Sequence, residues 1–84
     1  MSYTTVKTLT LIVQQPEKAR RGFLKQLVSY GTKKGTFTVQ DLTRRFAGKT
    51  VPSKGGTEAK ATAARITRYA HWCVKEGIMA PVTH

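Results

Sequence analysis

Acidic residues are scarce in this chain of 84 residues. Aspartate and glutamate together number 4, whereas lysine and arginine number 15, so the formal net charge at pH 7 is +11. Glu17, Asp41, Glu58 and Glu76 are scattered along the chain and form no paired acid–base site. No serine, cysteine or carboxylate lies in an arrangement typical of a nucleophile. We therefore expect that the protein is not an enzyme.

Cysteine, histidine and long apolar runs are also lacking. The single cysteine, Cys73, excludes an internal disulfide and a Cys-x-x-Cys zinc site, and His71 and His84 have no standard metal spacing with it. No apolar run is longer than three residues, as in residues 11–13, which is far too short to span a membrane, and we expect no secretory signal after Met1. We expect no metal and no cofactor, and a cytoplasmic protein of nucleoid-associated or viral type.

Hydrophobic periodicity predicts one small α+β domain over residues 1–84, with three helices and three short strands. We expect the N-terminal, middle and C-terminal strands to form a short antiparallel sheet. Residues 48–57, which contain three glycines, predict a flexible basic loop. Three strands are predicted, over residues 3–13, 35–38 and 78–82. The first helix starts at Pro16 and ends at Gly31. The second is capped by Thr38 and Asp41 and ends at Gly48, and the third, over 57–76, is capped by Thr57 and ends at Gly77.

This order of elements, with a long third helix that is basic on one face, resembles the winged helix-turn-helix class of DNA-binding domains. Residues 37–46 look like the second helix of such a domain, and residues 64–78 look like its recognition helix followed by the corner before the wing. The chain departs from the pattern in two places. The link between the second and third helices is about ten residues, where a compact helix-turn-helix uses about three or four. The segment after Gly77 is too short for a long wing.

The far side of the third predicted helix carries cations and small side chains, which is typical of a helix that enters the major groove. Arg68 is the candidate for bidentate pairing with guanine. We expect Trp72 to pack against the domain and Cys73 to be buried. Together with phosphate contacts from the second helix and the loop, the candidate DNA-binding residues are Lys60, Ala61, Ala64, Arg65, Arg68, His71, Lys75, Arg44, Arg45, Lys49 and Lys54.

The strongly basic balance favours a polyanionic partner. We expect the partner to be double-stranded DNA and the protein to be a small transcriptional regulator or architectural factor. It could bind as a homodimer that pairs through the edge of residues 3–13, or together with a protein partner. Two alternatives stay open: a module that binds an acidic protein, and an RNA-binding protein. A membrane surface is not expected, because the third helix lacks a bulky apolar face opposite its cations.

Overall fold

A short strand near the N-terminus lies at the centre of the sheet. The computed structural model describes residues 3–20, 22–52 and 56–82. In chain order the elements are α1 (Tyr3–Thr8), β1 (Thr10–Val13), a 3-10 turn (Pro16–Lys18), α2 (Gly22–Lys34), β2 (Thr36–Thr38), α3 (Val39–Arg45), β3 (Thr50–Pro52), β4 (Glu58–Lys60), α4 (Ala63–Lys75) and β5 (Met79–Pro81). The α+β class is therefore as predicted, although the described part of the chain has four α-helices rather than three.

The predicted three-stranded sheet is confirmed. β1 pairs antiparallel with β2 on one side and with β5 on the other. Leu11 lies opposite Phe37, and both side chains are buried on the face that packs against the helices. Ile12 points to the other face and is exposed. Because both edges of β1 are already paired, our expectation that this strand offers a free edge for dimerisation is wrong.

Residues 3–8 form α1 instead of the first part of the predicted strand. The amide of Leu9 donates a hydrogen bond to the carbonyl of Val6 at 3.2 Å, and the chain turns into β1 directly afterwards. α1 packs against α3 and α4, and the side chain of Val6 is fully buried. The strand propensity of the threonines and Val6 is a preference on the order of 1 kcal/mol, and burial of Val6 against the helices outweighs it.

α2 begins and ends later than predicted. Pro16 starts only a 3-10 turn, and the α-helix begins at Gly22. Gly31 lies inside the helix, where a β-carbon would come 2.7 Å from the ring of Phe37. The sequence therefore needs glycine there for close packing against β2, not for a helix end. Gly35, with φ of +88°, follows the last helical residue and turns the chain into β2.

α3 begins with the predicted capping box. The amide of Asp41 donates to Oγ1 of Thr38 at 3.1 Å, and the amide of Thr38 donates to Oδ2 of Asp41 at 3.0 Å. The hydrogen bond from the Thr38 amide is the largest cause that lowers the pKa of Asp41 below its ordinary value of 3.8, because it favours the charged carboxylate.

The predicted flexible loop contributes one strand of a β-hairpin, and the start of the predicted third helix contributes the other. β3 pairs antiparallel with β4, and Val51 is fully buried. The hydroxyl of Tyr69 on α4 donates to the carbonyl of Pro52 at 2.8 Å, which fixes the hairpin to the helix. Because residues 58–60 are in β4, α4 begins later than predicted. Its N-cap is Thr62, whose Oγ1 accepts from the amide of Arg65, and not Thr57.

Aromatic rings join α2, α3 and α4 in the core. The ring of Phe23 lies 5.0 Å from that of Phe46 and 4.9 Å from that of Tyr69, between centroids. Burial raises the pKa of the Tyr69 hydroxyl. Gly77, with φ of +79°, ends α4 as predicted and leads into β5. The orientation of α4 is therefore set by contacts along its length and at both ends.

Candidate nucleic-acid interface

α4 has one buried face and one exposed face. Ile66, Ala70 and Cys73 have no exposed surface, and Thr67 is 3% exposed. Burial raises the pKa of the Cys73 thiol to about 12, so the side chain is a neutral part of the core. Since this side of α4 faces the core, the residues on the opposite side are held toward solvent in a fixed orientation.

The exposed face of α4 is narrow and continuous. Ala63, the first residue of α4, is exposed outside this face. At 3.6 residues per turn, the other four exposed side chains of the helix lie within about 80° of arc. They are Ala64, Arg68, Trp72 and Lys75, and we call them the outer face of α4. His71 is half-buried at its edge. α4 contains no acidic residue, so its outer face has only positive charge.

Trp72 is 43% exposed, and our prediction that it packs against the domain is wrong. It lies one turn beyond Arg68, on the side of α4 that faces away from the core. An exposed indole between cations can stack on a base or pack on a sugar. On a helical wheel Arg68, Trp72 and Lys75 lie on one side of the helix. This shared side was the sequence signal by which Trp72 could have been included in the predicted site.

Two cations from the N-terminal segment lie beside Trp72. A surface pocket of about 340 Å³ is lined by Lys18, Arg20, Trp72, Glu76 and Ile78. Nζ of Lys18 donates to the carbonyl of Glu76 at 3.1 Å, where a cation suits the negative end of the α4 dipole. Sequence reasoning missed both Lys18 and Arg20, because nothing local shows that they approach a helix more than fifty residues further along the chain.

Arg65 and Lys60 lie where the hairpin meets α4. Nη1 of the half-buried Arg65 donates to the carbonyl of Lys60 at 3.3 Å, so this guanidinium connects the helix to β4. Lys60 is exposed on β4 rather than on the helix as predicted. Ala61 precedes α4, is 9% exposed and donates its amide to the carbonyl of Lys49, so our placement of Ala61 among the small residues of the helix face is wrong.

Those predicted phosphate-binding residues of the second helix and the loop that the structure describes lie apart from the outer face of α4. Arg44 and Arg45 are exposed at the end of α3, and Lys49 follows in the turn before β3. Arg45 and Lys49 line a pocket beside Tyr30 on α2, and the buried rings of Phe46 and Phe23 separate Tyr30 from Tyr69 of α4. Lys54, in the same prediction, lies outside the described residues.

Within residues 3–20, 22–52 and 56–82, no group of three or more histidine, cysteine, aspartate or glutamate side chains could hold a metal ion. None of the helices in these ranges is long and apolar enough to cross a membrane.

Comparison with known proteins gives no relative from which a function could be carried over. No protein-family model matches the chain, and neither a curated protein nor a solved structure has significant similarity to it. The resemblance to winged helix-turn-helix domains thus stays a prediction, and the functional argument depends on the surface itself.

Proposed function

We propose that this protein binds double-stranded DNA through the outer face of α4. The observation that carries the proposal is the contrast across this helix: one side is buried in the core, and the other presents arginine, lysine and tryptophan without any acidic residue. A cationic face that is held rigidly loses little conformational entropy when it meets a polyanion.

The dimensions of α4 suit the major groove. Its 13 residues extend for about 20 Å, and an α-helix of ordinary diameter fits a groove that is about 12 Å wide. Ala64 has a small side chain that allows close approach to the base pairs. In this arrangement Arg68 lies near the middle of the helix, where it donates to guanine or to a phosphate, and Lys75 contacts a phosphate near the end.

Cations next to α4 extend the proposed contact to the DNA backbone. Lys60 lies at the base of the hairpin near the start of the helix, and Lys18 and Arg20 lie beside its end. Contacts at both ends of a helix fix its register on a duplex without adding base specificity. As a regulator or an architectural factor, the protein would act in the cytoplasm or in a nucleoid. Because one module of this size buries little interface with DNA, binding as a dimer or with a protein partner is favoured.

The test is the salt dependence of duplex binding, measured by fluorescence anisotropy of labelled DNA. We expect the logarithm of the association constant to fall linearly with the logarithm of the salt concentration. Arg68→Gln/Lys75→Gln should weaken binding and reduce the magnitude of the slope by about 1 for each of the two side chains that contacts a phosphate.

The matched control is Lys25→Gln/Lys34→Gln, which removes the same charge from exposed positions of α2. It should leave the slope close to that of the unmodified chain. Equal slopes for the two double variants would mean that net charge alone, and not the outer face of α4, causes binding. Single-stranded DNA, duplex RNA and an acidic protein in place of duplex DNA distinguish the alternative partners, and tighter binding to any of them would contradict the proposal.

A further inference from the structure

A second basic site lies away from α4. We infer that the pocket between α2 and the turn that follows α3 binds a phosphate group. The pocket has a volume of about 300 Å³ and is open to solvent. Three cationic side chains line it, from three different parts of the fold: Lys33 near the end of α2, Arg45 at the end of α3, and Lys49 before β3.

Local backbone geometry brings the three cations together. Gln26, Ser29, Tyr30 and Lys33 recur at helical spacing, so they occupy one side of α2. Gly48, with φ of +82°, allows the chain to reverse after α3, and the amide of Lys49 donates to the carbonyl of Phe46 at 3.1 Å. This turn places Lys49 opposite the exposed side of α2.

Arg45 is held in place by aromatic rings. Its guanidinium carbon lies 5.9 Å from the centroid of the Tyr30 ring and 5.7 Å from that of the Phe46 ring. Contacts of this kind orient an arginine and leave its N–H groups free to donate in the plane of the guanidinium. A planar fork of donors that is already oriented matches the oxygens of a phosphate.

The remaining lining groups suit the same ligand. Ser29 and Gln26 supply neutral hydrogen-bond donors, and none of the described residues that line the pocket is acidic. Three cations that converge without a carboxylate repel one another, and a bound phosphate removes that repulsion. A pocket of this volume lies at the lower end of the range of about 300–1,000 Å³ that small ligands use.

This site is separate from the surface in the proposed function. Its cations lie on α2, on α3 and before β3, and the pocket shares no residue with the outer face of α4 or with the pocket beside Trp72. The phosphate can come from a free phosphorylated molecule or from the backbone of a nucleic acid. In the second case one chain has two places at which it contacts DNA.

The test is a titration of the isotope-labelled chain with inorganic pyrophosphate, followed by amide chemical shifts at constant ionic strength. We expect saturable shifts at Ser29, Lys33 and Lys49. Lys33→Gln/Lys49→Gln should weaken this binding by about tenfold while the contacts of Arg45 with the rings persist. Lys25→Gln/Lys34→Gln, which removes two charges from α2 outside the pocket, should leave it unchanged.

A short DNA duplex in place of pyrophosphate identifies the source of the phosphate. Shifts in the pocket with the duplex, retained in Arg68→Gln/Lys75→Gln, would assign the site to the nucleic-acid backbone. Shifts with pyrophosphate alone would assign it to a free phosphorylated molecule. Shifts that do not saturate with either ligand, or that are equal in the two lysine variants, would overturn the inference and leave the proposed role of α4 unaffected.

Discussion

The two faces of α4 use the same thirteen residues for different purposes. The buried face consists of small and branched side chains without charge, and it holds α1, α3 and β5 together. The outer face contributes nothing to the core, yet it is oriented by the core because the helix cannot rotate. The comparison shows that, in a small domain, a surface for binding a polyanion is as rigid as the packing behind it. Substitutions should therefore separate into those that affect stability and those that affect binding.

The largest effect is expected on the buried face. Ile66→Ala should lower the free energy of unfolding by about 2–5 kcal/mol, because it leaves a cavity beneath α4. Urea denaturation followed by circular dichroism measures this change. The protein that remains folded should still bind duplex DNA, and a stable Ile66→Ala variant without DNA binding would show that the two faces are not separable.

A smaller effect is expected on the outer face. Arg68→Ala should weaken DNA binding by about 1–3 kcal/mol and reduce base preference if Arg68 contacts a base. Its urea midpoint should match that of the unmodified chain, since Arg68 is exposed. Competition binding with different duplex sequences checks the first result. Loss of stability in this variant would contradict the division between the faces.

Asp41 on α3 contrasts with Arg68, because its charged side chain stabilises the fold and has no part in the proposed DNA contact. Asp41→Asn should destabilise the protein by about 1 kcal/mol at neutral pH through loss of charge at the cap of α3, with no change in DNA binding. The pKa of Asp41 is lowered in the folded state, so its contribution is complete above about pH 4 and is lost as the pH falls through the lowered pKa.

The pH dependence gives the check on this cap. The difference in stability between Asp41→Asn and the unmodified chain should be constant from neutral pH down to about pH 4 and should shrink below it. Urea midpoints across this range measure it. A difference that does not change with pH would show that the charge of Asp41 has no part in the cap.

An effect of similar size is expected at Tyr69, which lies between the two faces of α4. Tyr69→Phe removes the hydrogen bond to Pro52 but keeps the ring against Phe23, so it should cost about 0.5–1.5 kcal/mol. Hydrogen exchange should increase in β3 and β4 more than in α4. Uniform exchange would show that the hydroxyl does not fix the hairpin.

Features that depend on neighbouring residues were predictable from the sequence. The capping box of α3 needs only Thr38 and Asp41, and the glycine that ends α4 needs only the end of a helical pattern. The three strands of the sheet lie within predicted strands, and β1 follows from the alternation of Leu11 and Val13 with their neighbours. Arg68 and Lys75 were placed on one face because the period of a helix is fixed.

Features that depend on tertiary contacts were missed. The hairpin joins β3, in a segment that was predicted as a loop, to β4, in a segment that was predicted as the start of the third helix. It packs through Val51 and the hydroxyl of Tyr69. α1 replaces a strand because Val6 reaches the core from a helix. Lys18 approaches Glu76 only after the sheet and α4 are in place, so no sequence pattern could include it in the site.

The central claim is that the outer face of α4 meets the DNA, and the one tryptophan in the chain reports on it directly. The measurement is acrylamide quenching of Trp72 fluorescence with and without saturating duplex DNA, with saturation established by anisotropy. Since Trp72 is 43% exposed in the free chain, we predict that DNA binding markedly reduces its quenching. Unchanged quenching on a chain that is fully bound to DNA would contradict the account, because the duplex would then be bound at another surface.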